Sequence, residues 1–480
     1  MFSIILVTLI LAFLKSLHLT YLFQIKEYRI DRFMSMTRER GFLRTLYSFY
    51  LKFPALYLRN SLIVLLILTF ELGLFLSVFE FPVIYILLNI LLPVVPFIAL
   101  LLVILAIFIT AVPVFFYRKI IIMRAYFKVC NSKTVFIGIT GSYGKSSVKE
   151  FIYTLLSTQF QTGKTDANMN TDVGVALAIL KNLKKNTEFF VTEFGAYRLG
   201  EIQKAASYIP LKYVVLTGLG NQHLDLYGGR ANLIAEETSL IYKVPETGTV
   251  YVNEKVPKEK DILKSVKAHK VIYGFESGAT INARILEIAS TYVKAVIRYK
   301  NTNIVVKTRL LGAHNIVNLL PAIAIALDLG VPKEKIISTI QNIKPLPGKL
   351  SLHTGFKKTT VLSDLSNSNV EGFIAGIKVL QKFSHKNKII ITQGIIELGV
   401  EKGPSYASIL RKLYKTDILI FTTDSLFEEI DHERRVKTFN DVASLQQSLL
   451  PLLNKHTIVL IEGRFPLRIL KKLQVNHDFH

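Results

Sequence analysis

Long apolar stretches and short basic loops alternate over the first 130 residues, and a different rhythm follows. Met1–Leu14 is uncharged, and its run continues to Phe23 with Lys15 and His18 as the notable polar interruptions. Ser61–Phe79 forms a second run, broken by Glu71, and Phe81–Tyr117 a third, 37 residues without a charge. A bilayer core of ~30 Å needs about 20 helical residues, so the third run can span even with strong tilt. Core helices of soluble proteins rarely extend so far without a polar face. A cleavable signal peptide fits poorly: no basic stretch precedes the first run, and two more apolar runs follow it. The pattern predicts a membrane segment of about three helices over residues 1–130.

Flanking charge orients these helices. Residues 24–60 hold Lys26, Arg29, Arg32, Arg38, Arg40, Arg44, Lys52 and Arg59 against three acids, and Arg118, Lys119, Arg124 and Lys128 follow the third run. Both groups belong on the cytoplasmic side. Three crossings satisfy that parity and predict a multi-pass protein of the inner (cytoplasmic) membrane with the rest of the chain in the cytoplasm. Pro82, Pro93, Pro96 and Pro113 point to a kinked or interfacial portion of the last run. Lys15 would have to snorkel. Glu71 reads either as a functional intramembrane acid or as a helix-pairing group.

From about Asn131 the chain alternates short β-rich runs with helical stretches, the pattern of an α/β protein. Thr134–Ile139, Phe189–Glu193 and Tyr213–Thr217 read as strands, with a helix over Ser146–Ser157. Within Thr249–Leu311, alternation at Tyr292–Tyr299 and Asn303–Leu310 predicts an antiparallel β insert, and Asn315–Leu329 is helical again. Pro345, Pro347 and Gly348 mark a hinge-like break before a second series of strands at Thr360–Leu362, Lys388–Thr392, Ile418–Thr422 and Thr457–Ile461. The expected division is 1–130 membrane segment, 131–344 P-loop-type central ATPase domain with the β insert, and 345–480 Rossmann-like C-terminal domain.

Composition narrows the chemistry. A net charge of +24 points to an anionic partner. The single cysteine, Cys130, excludes a disulfide scaffold or a multi-thiolate zinc site. Much of the basic excess flanks the apolar runs, and aromatic-basic interleaving of the RNA-binding kind is absent, so nucleic acid is not the expected partner.

The candidate chemistry begins at Thr140-Gly141-Ser142-Tyr143-Gly144-Lys145-Ser146-Ser147, between a strand and a helix. A strict P-loop would carry glycine where Ile139 stands. The physical requirements survive: Gly141 and Gly144 permit a tight turn that aims amides at phosphate, Lys145 reaches the β/γ-phosphates, and the Ser146 hydroxyl suits Mg²⁺. Glu193 ends an apolar strand, where α/β folds place their sites, and offers a second oxygen ligand.

This loop and the motifs after it resemble the Mur ligase family of ATP-dependent amide-forming enzymes, and within it the branch adding D-alanyl-D-alanine to UDP-N-acetylmuramoyl-tripeptide. The resemblance runs from about Val135 to the C-terminus. In order, it rests on Asn168 and Asn170 with Gly174, on Glu193-Phe-Gly, on His223-Leu-Asp, on His314, Asn315 and Asn318 in "LGAHNIVN", on Pro347-Gly348-Lys349, and on Asp364, Asn367 and Asn369. It implies ATP and Mg²⁺ as cofactors and a carboxylate activated as an acyl phosphate for attack by an amine. Gly141, Ser142, Gly144, Lys145, Ser146 and Ser147 would hold phosphate, and His314, Asn315 and Asn318 the adenine side. Lys145, Glu193 and His223 would be catalytic, His223 by helping to hold a second metal, and Asn168, Asn170, Asp364, Asn367 and Arg464 would meet the substrates.

Three departures bear on specificity. The family's carbamylated lysine is matched by Glu237, which either supplies the metal-binding carboxylate directly or leaves the second metal to be held differently. The lysine-glycine-serine-arginine motif that receives the amine appears as Glu462-Gly463-Arg464-Phe465. The UDP-sugar domain's place is taken by the apolar segment, which admits a lipid-linked as well as a soluble acidic peptide precursor. The expected activity is a membrane-anchored ATP-dependent carbon–nitrogen ligase of cell-wall (peptidoglycan) synthesis, joining D-alanyl-D-alanine or a similar amino acid or dipeptide to a precursor peptide. A polyglutamate-type peptide ligase and a non-catalytic nucleotide-binding scaffold are the alternatives.

Overall fold

The computed structural model describes residues 2–48, 52–55, 57–80, 94–220, 227–256, 259–365, 369–395, 398, 401–414 and 416–473. The chain divides into two compact units, Met1–Met123 and Arg124–His480.

The first unit is helical. Phe2–Ile25, Ile30–Arg40, Phe42–Tyr47 and Leu58–Glu80 are followed by the start of a 36-residue helix, Val95–Cys130, which runs unbroken through Pro113. Leu19, Phe23, Phe33, Ile63, Ile67 and Val103 are among the residues of its buried core. Leu6–Ile25 and Val95–Cys130 are, among the described residues, the two helices long and apolar enough to cross a membrane. Most of the expected Phe81–Val94 portion of the third run, including Pro82 and Pro93, lies outside the described residues. Lys15 does not snorkel: it is 1% exposed and donates to the carbonyls of Thr45 and Ser48, so protein oxygens replace water. Among the described residues no donor reaches Glu71 Oε1.

The second unit holds two sheets. The first has nine strands: β1 (Val135–Thr140), β2 (Thr162–Lys164), β3 (Phe189–Glu193), β4 (Leu211–Leu216), β5 (Thr249–Asn253), β6 (His269–Gly274), β7 (Ile281–Ile288), β8 (Val293–Tyr299) and β9 (Thr302–Thr308), in the order β2-β3-β1-β4-β5-β6-β7-β8-β9. β1 is buried almost throughout and pairs in parallel with β3 and β4, as expected for a near-continuous apolar run. The helices Lys145–Leu156 and Ala313–Asp328 contribute Val148, Phe151, Ile152, Leu319 and Ile323 to its core.

The expected β insert needs correction. β5 and β6 are parallel members of the main sheet, and only β7–β9 are antiparallel; β7 pairs with β6, so they extend that sheet rather than form a separate insert. Their strict alternation, buried every second residue in β8 and β9, is what a sheet covered on one face requires.

The second sheet comprises β10 (Ser351–Thr354), β11 (Thr360–Asp364), β12 (Asn387–Thr392), β13 (Ile418–Thr422), β14 (Val436–Thr438) and β15 (Thr457–Glu462), in the order β10-β11-β15-β12-β13-β14. Only β10 is antiparallel to its neighbour. Apolar cores cover both faces. Parallel strands place their C-terminal ends on one edge, so Asp364, Thr392 and Glu462 stand in register there.

Candidate functional site

The loop after β1 is fixed by glycines and by its neighbours. Gly141 has φ +128°, and a Cβ there would lie 2.1 Å from Thr217 Oγ1; Gly144 has φ +85°, and a Cβ would lie 2.8 Å from Asn318 Oδ1. Side chains are therefore excluded both by conformation and by space. The amides of Ser142 and Tyr143 donate to the Gly218 carbonyl at 2.8 and 3.4 Å, and the Tyr143 ring lies over Gly218, where a Cβ would come within 1.9 Å. Burial, with the Glu371 carboxylate nearby, pushes the Tyr143 phenol up to about 12. Gly144 precedes the helix Lys145–Leu156, whose first amides have no intrahelical partner and carry the positive end of the dipole. Lys145 Nζ donates to the Gly141 carbonyl and stays at the loop.

Glu193, at the end of β3, is the focus of the side chains around it. Ser146 Oγ donates to its Oε1 at 3.2 Å and Asn170 Nδ2 at 3.3 Å, while Lys149 Nζ lies 3.3 Å from Oε2. Glu193 and Lys149 are 4% and 1% exposed. Burial alone would raise the Glu193 carboxyl; Lys149, then Lys145, with the bonds from Ser146 and Asn170, hold it below the ordinary carboxylate range. The loop motif does not reveal Lys149, although its spacing of four from Lys145 puts both on one helix face. Oε2 faces the Lys149 ammonium, and among the described residues no other donor reaches it.

These donors fit Mg²⁺: one carboxylate and one hydroxyl, both hard oxygen ligands, beside a loop built for phosphate. Mg²⁺ bound through so few protein ligands would complete its shell with phosphate oxygens and water.

The remaining expected residues are distributed as follows. Glu237 is buried, with Oε2 accepting from Thr140 Oγ1 at 2.6 Å and from the Gly141 amide at 2.7 Å. Asn315 spends its amide on the Leu311 carbonyl at 2.8 Å. His314, half-buried beside Gly312, is pushed down to about 4 by burial and by Lys349 and Lys378. Asn168, at φ +62°, and Asn170 flank Glu193's side of the cleft. Asn369 caps the helix Val370–Leu380 by accepting from the Gly372 amide at 2.7 Å. His223 and Asn367 lie outside the described residues.

One cleft of about 1330 Å³ gathers Ser142, Gly144–Ser147, Asn168, Asn170, Glu193, Glu237, His314, Asn315 and Asn318 from the first sheet's side, and Lys349, Asp364, Glu462 and Arg464 from the second's. It opens at the C-terminal ends of β1, β3, β11 and β15, where parallel sheets place ligand sites.

Residues 139–326 match the Mur ligase middle domain. Over that stretch the chain resembles the Mur ligase family. It is 26% identical over 329 residues to the UDP-N-acetylmuramoyl-tripeptide--D-alanyl-D-alanine ligase of Buchnera aphidicola subsp. Baizongia pistaciae, covering 68% of this chain and 71% of that one. Other ligases of the same name match over as little as 49% of their length, so the chain spans roughly half to seven-tenths of these curated relatives. A crystal structure of MurF from Acinetobacter baumannii superposes with TM-score 0.68 at 22% identity, over 74% of this chain and 79% of that one. Folylpolyglutamate synthase of Mycobacterium tuberculosis, complexed with ADP, superposes with TM-score 0.59 at 16% identity, over 76% and 95%. The family resemblance is thereby borne out, as is the enzyme class: Mur ligases are ATP-dependent acid–amino-acid ligases that work with Mg²⁺.

Proposed function

We propose that this Mur ligase activates a peptide carboxyl with ATP and passes it to an amine, extending a cell-wall precursor with D-alanyl-D-alanine or a similar acceptor. The observation that carries the reading is the convergence of Ser146, Asn170 and Lys149 on buried Glu193 beside the Gly141–Gly144 loop. The amides opening the helix Lys145–Leu156 and the Lys145 ammonium would receive the phosphates. Ser146 and Glu193 would hold Mg²⁺, with His223 helping to hold a second metal as the family resemblance implies; when bound, Mg²⁺ offsets negative charge gathering on the transferring phosphoryl group. Asn168 and Asn170 would meet the acyl donor. Asp364, Asn367 and Arg464, on the second sheet's side, would meet the amine.

The chemistry then follows from charge. The donor carboxylate attacks the γ-phosphorus, ADP leaves, and the acyl phosphate yields an amide as the incoming nitrogen displaces inorganic phosphate. Lys145 and the helix N-terminus carry positive charge in advance, so little reorganisation is needed. Residues 1–130 would anchor the enzyme to the inner membrane: two helices there have the length and apolarity for it.

Mass spectrometry of products from purified full-length protein in detergent tests the reading. UDP-N-acetylmuramoyl-tripeptide, ATP, Mg²⁺ and D-alanyl-D-alanine should give the pentapeptide with one ADP per amide. Likeness to folylpolyglutamate synthase favours a second reading, with glutamate as the amine; glutamylated product alone would select it. ADP binding without acceptor-dependent turnover under any pairing would leave only a nucleotide-binding scaffold.

A further inference from the structure

Glu237 matches the position where the resemblance expects a metal-binding carboxylate, yet its surroundings give it other work. It stands in the last turn of the helix Arg230–Thr238 and is 4% exposed. Its Oε2 takes two short bonds, from the Thr140 hydroxyl at 2.6 Å and the Gly141 amide at 2.7 Å, and its own carbonyl accepts from the same hydroxyl at 3.1 Å. Bonds of this kind to a buried carboxylate are among the stronger ones a protein makes.

The next two loop amides are also turned inward, to the Gly218 carbonyl. Amides 141–143 are thus held by protein oxygens, and those facing phosphate begin at the helix that starts with Lys145. Moving Glu237 Oε2 onto a cation would release the Gly141 amide and the Thr140 hydroxyl, both in a buried stretch of chain. The neighbouring Glu236 works in the same manner on the other flank, its two oxygens accepting from the Gly200 and Ile202 amides at 2.6 Å each.

We infer that Glu237 is a positioning residue that sets the phosphate loop by capturing its first amide, in place of service as a metal ligand. The inference rests on the nucleotide-binding reading above. It makes the consecutive glutamates a double brace, with one carboxylate on the phosphate loop and one on the turn after β3.

The test is ADP binding by calorimetry to the full chain in detergent, first in EDTA and then across a Mg²⁺ series. Glu237→Gln keeps an oxygen able to accept both bonds and should bind ADP within about threefold of wild type, with an unchanged Mg²⁺ half-saturation. Glu237→Ala should weaken ADP binding by roughly tenfold or more even without metal. Thr140→Val, which removes one donor and keeps the shape, should weaken it in the same direction, and decides the matter if the alanine variant fails to fold. Metal-free affinities equal to wild type in Glu237→Ala and Thr140→Val would overturn the inference, as would a Mg²⁺ half-saturation raised about tenfold in Glu237→Gln, the signature of a lost ligand. Wild-type protein that binds no ADP in either buffer would instead sink the ligase reading, and this assignment with it.

Discussion

Lys149 and Glu193 are nearly inaccessible to water and 3.3 Å apart, so neither can lose the other cheaply. Lys149→Met leaves a buried carboxylate uncompensated and should cost about 3–5 kcal/mol in urea unfolding of the full chain. Because Glu193 sits below its ordinary value of 4.5, its contribution is fully present above that pH and is lost as pH falls through the lower folded value. In Lys149→Met that acid loss should begin at higher pH. His314 gives the opposite kind of group. Burial and Lys349 with Lys378 push it from 6.5 down to about 4, so the unfolded chain binds the proton first. Stability should therefore decline as pH falls from about 6.5 to 4, and His314→Gln should flatten that limb in a pH series of thermal unfolding. Lys149 was readable in principle, four positions after Lys145 on one helix. The bond from Gly141 to Glu237 was not, because it joins positions 96 apart and no local pattern carries it.

Among the elements, the short helix Glu201–Ala205 shows how a weak segment is held. It has five residues, starts from Gly200 at φ +85°, and has no side-chain cap of its own. Glu236 supplies the missing acceptors from another helix. Glu236→Ala should speed hydrogen exchange of the Gly200 and Ile202 amides at least tenfold, while amides of β1 and β3 keep their protection. Strand identities were legible wherever apolar runs were bounded by glycine or polar residues, as at Phe189–Glu193, which the structure reproduces to the residue. Strand order was not. β7 joins β6 through the pairs Tyr273–Ile281 and Gly274–Asn282, which the alternation of β7–β9 does not encode, so a pattern that looked like an insert became the edge of the main sheet.

For the molecule as a whole, the sequence displays two chemistries in succession, an apolar helical segment and an α/β enzyme, because composition changes abruptly near Asn131. The count of crossings is less legible, since a long apolar helix and two shorter ones satisfy the same hydropathy. Accessibility labelling of cysteines placed at Ser3 and Lys133, with Cys130 replaced by serine, checks it in intact cells. An odd number of crossings leaves Lys133 protected and Ser3 labelled by a membrane-impermeant reagent. Both positions protected would indicate an even number.

The close stacking of the Tyr143 ring on Gly218 offers a way to silence the enzyme without touching its chemistry. A single methyl group in Gly218→Ala removes no charge, donor or cation ligand, yet it claims the volume now filled by an aromatic ring whose backbone belongs to the phosphate loop. Such a variant should keep its fold by circular dichroism while losing nucleotide affinity, which makes it a sterically inactivated control for every experiment that needs the intact polar constellation.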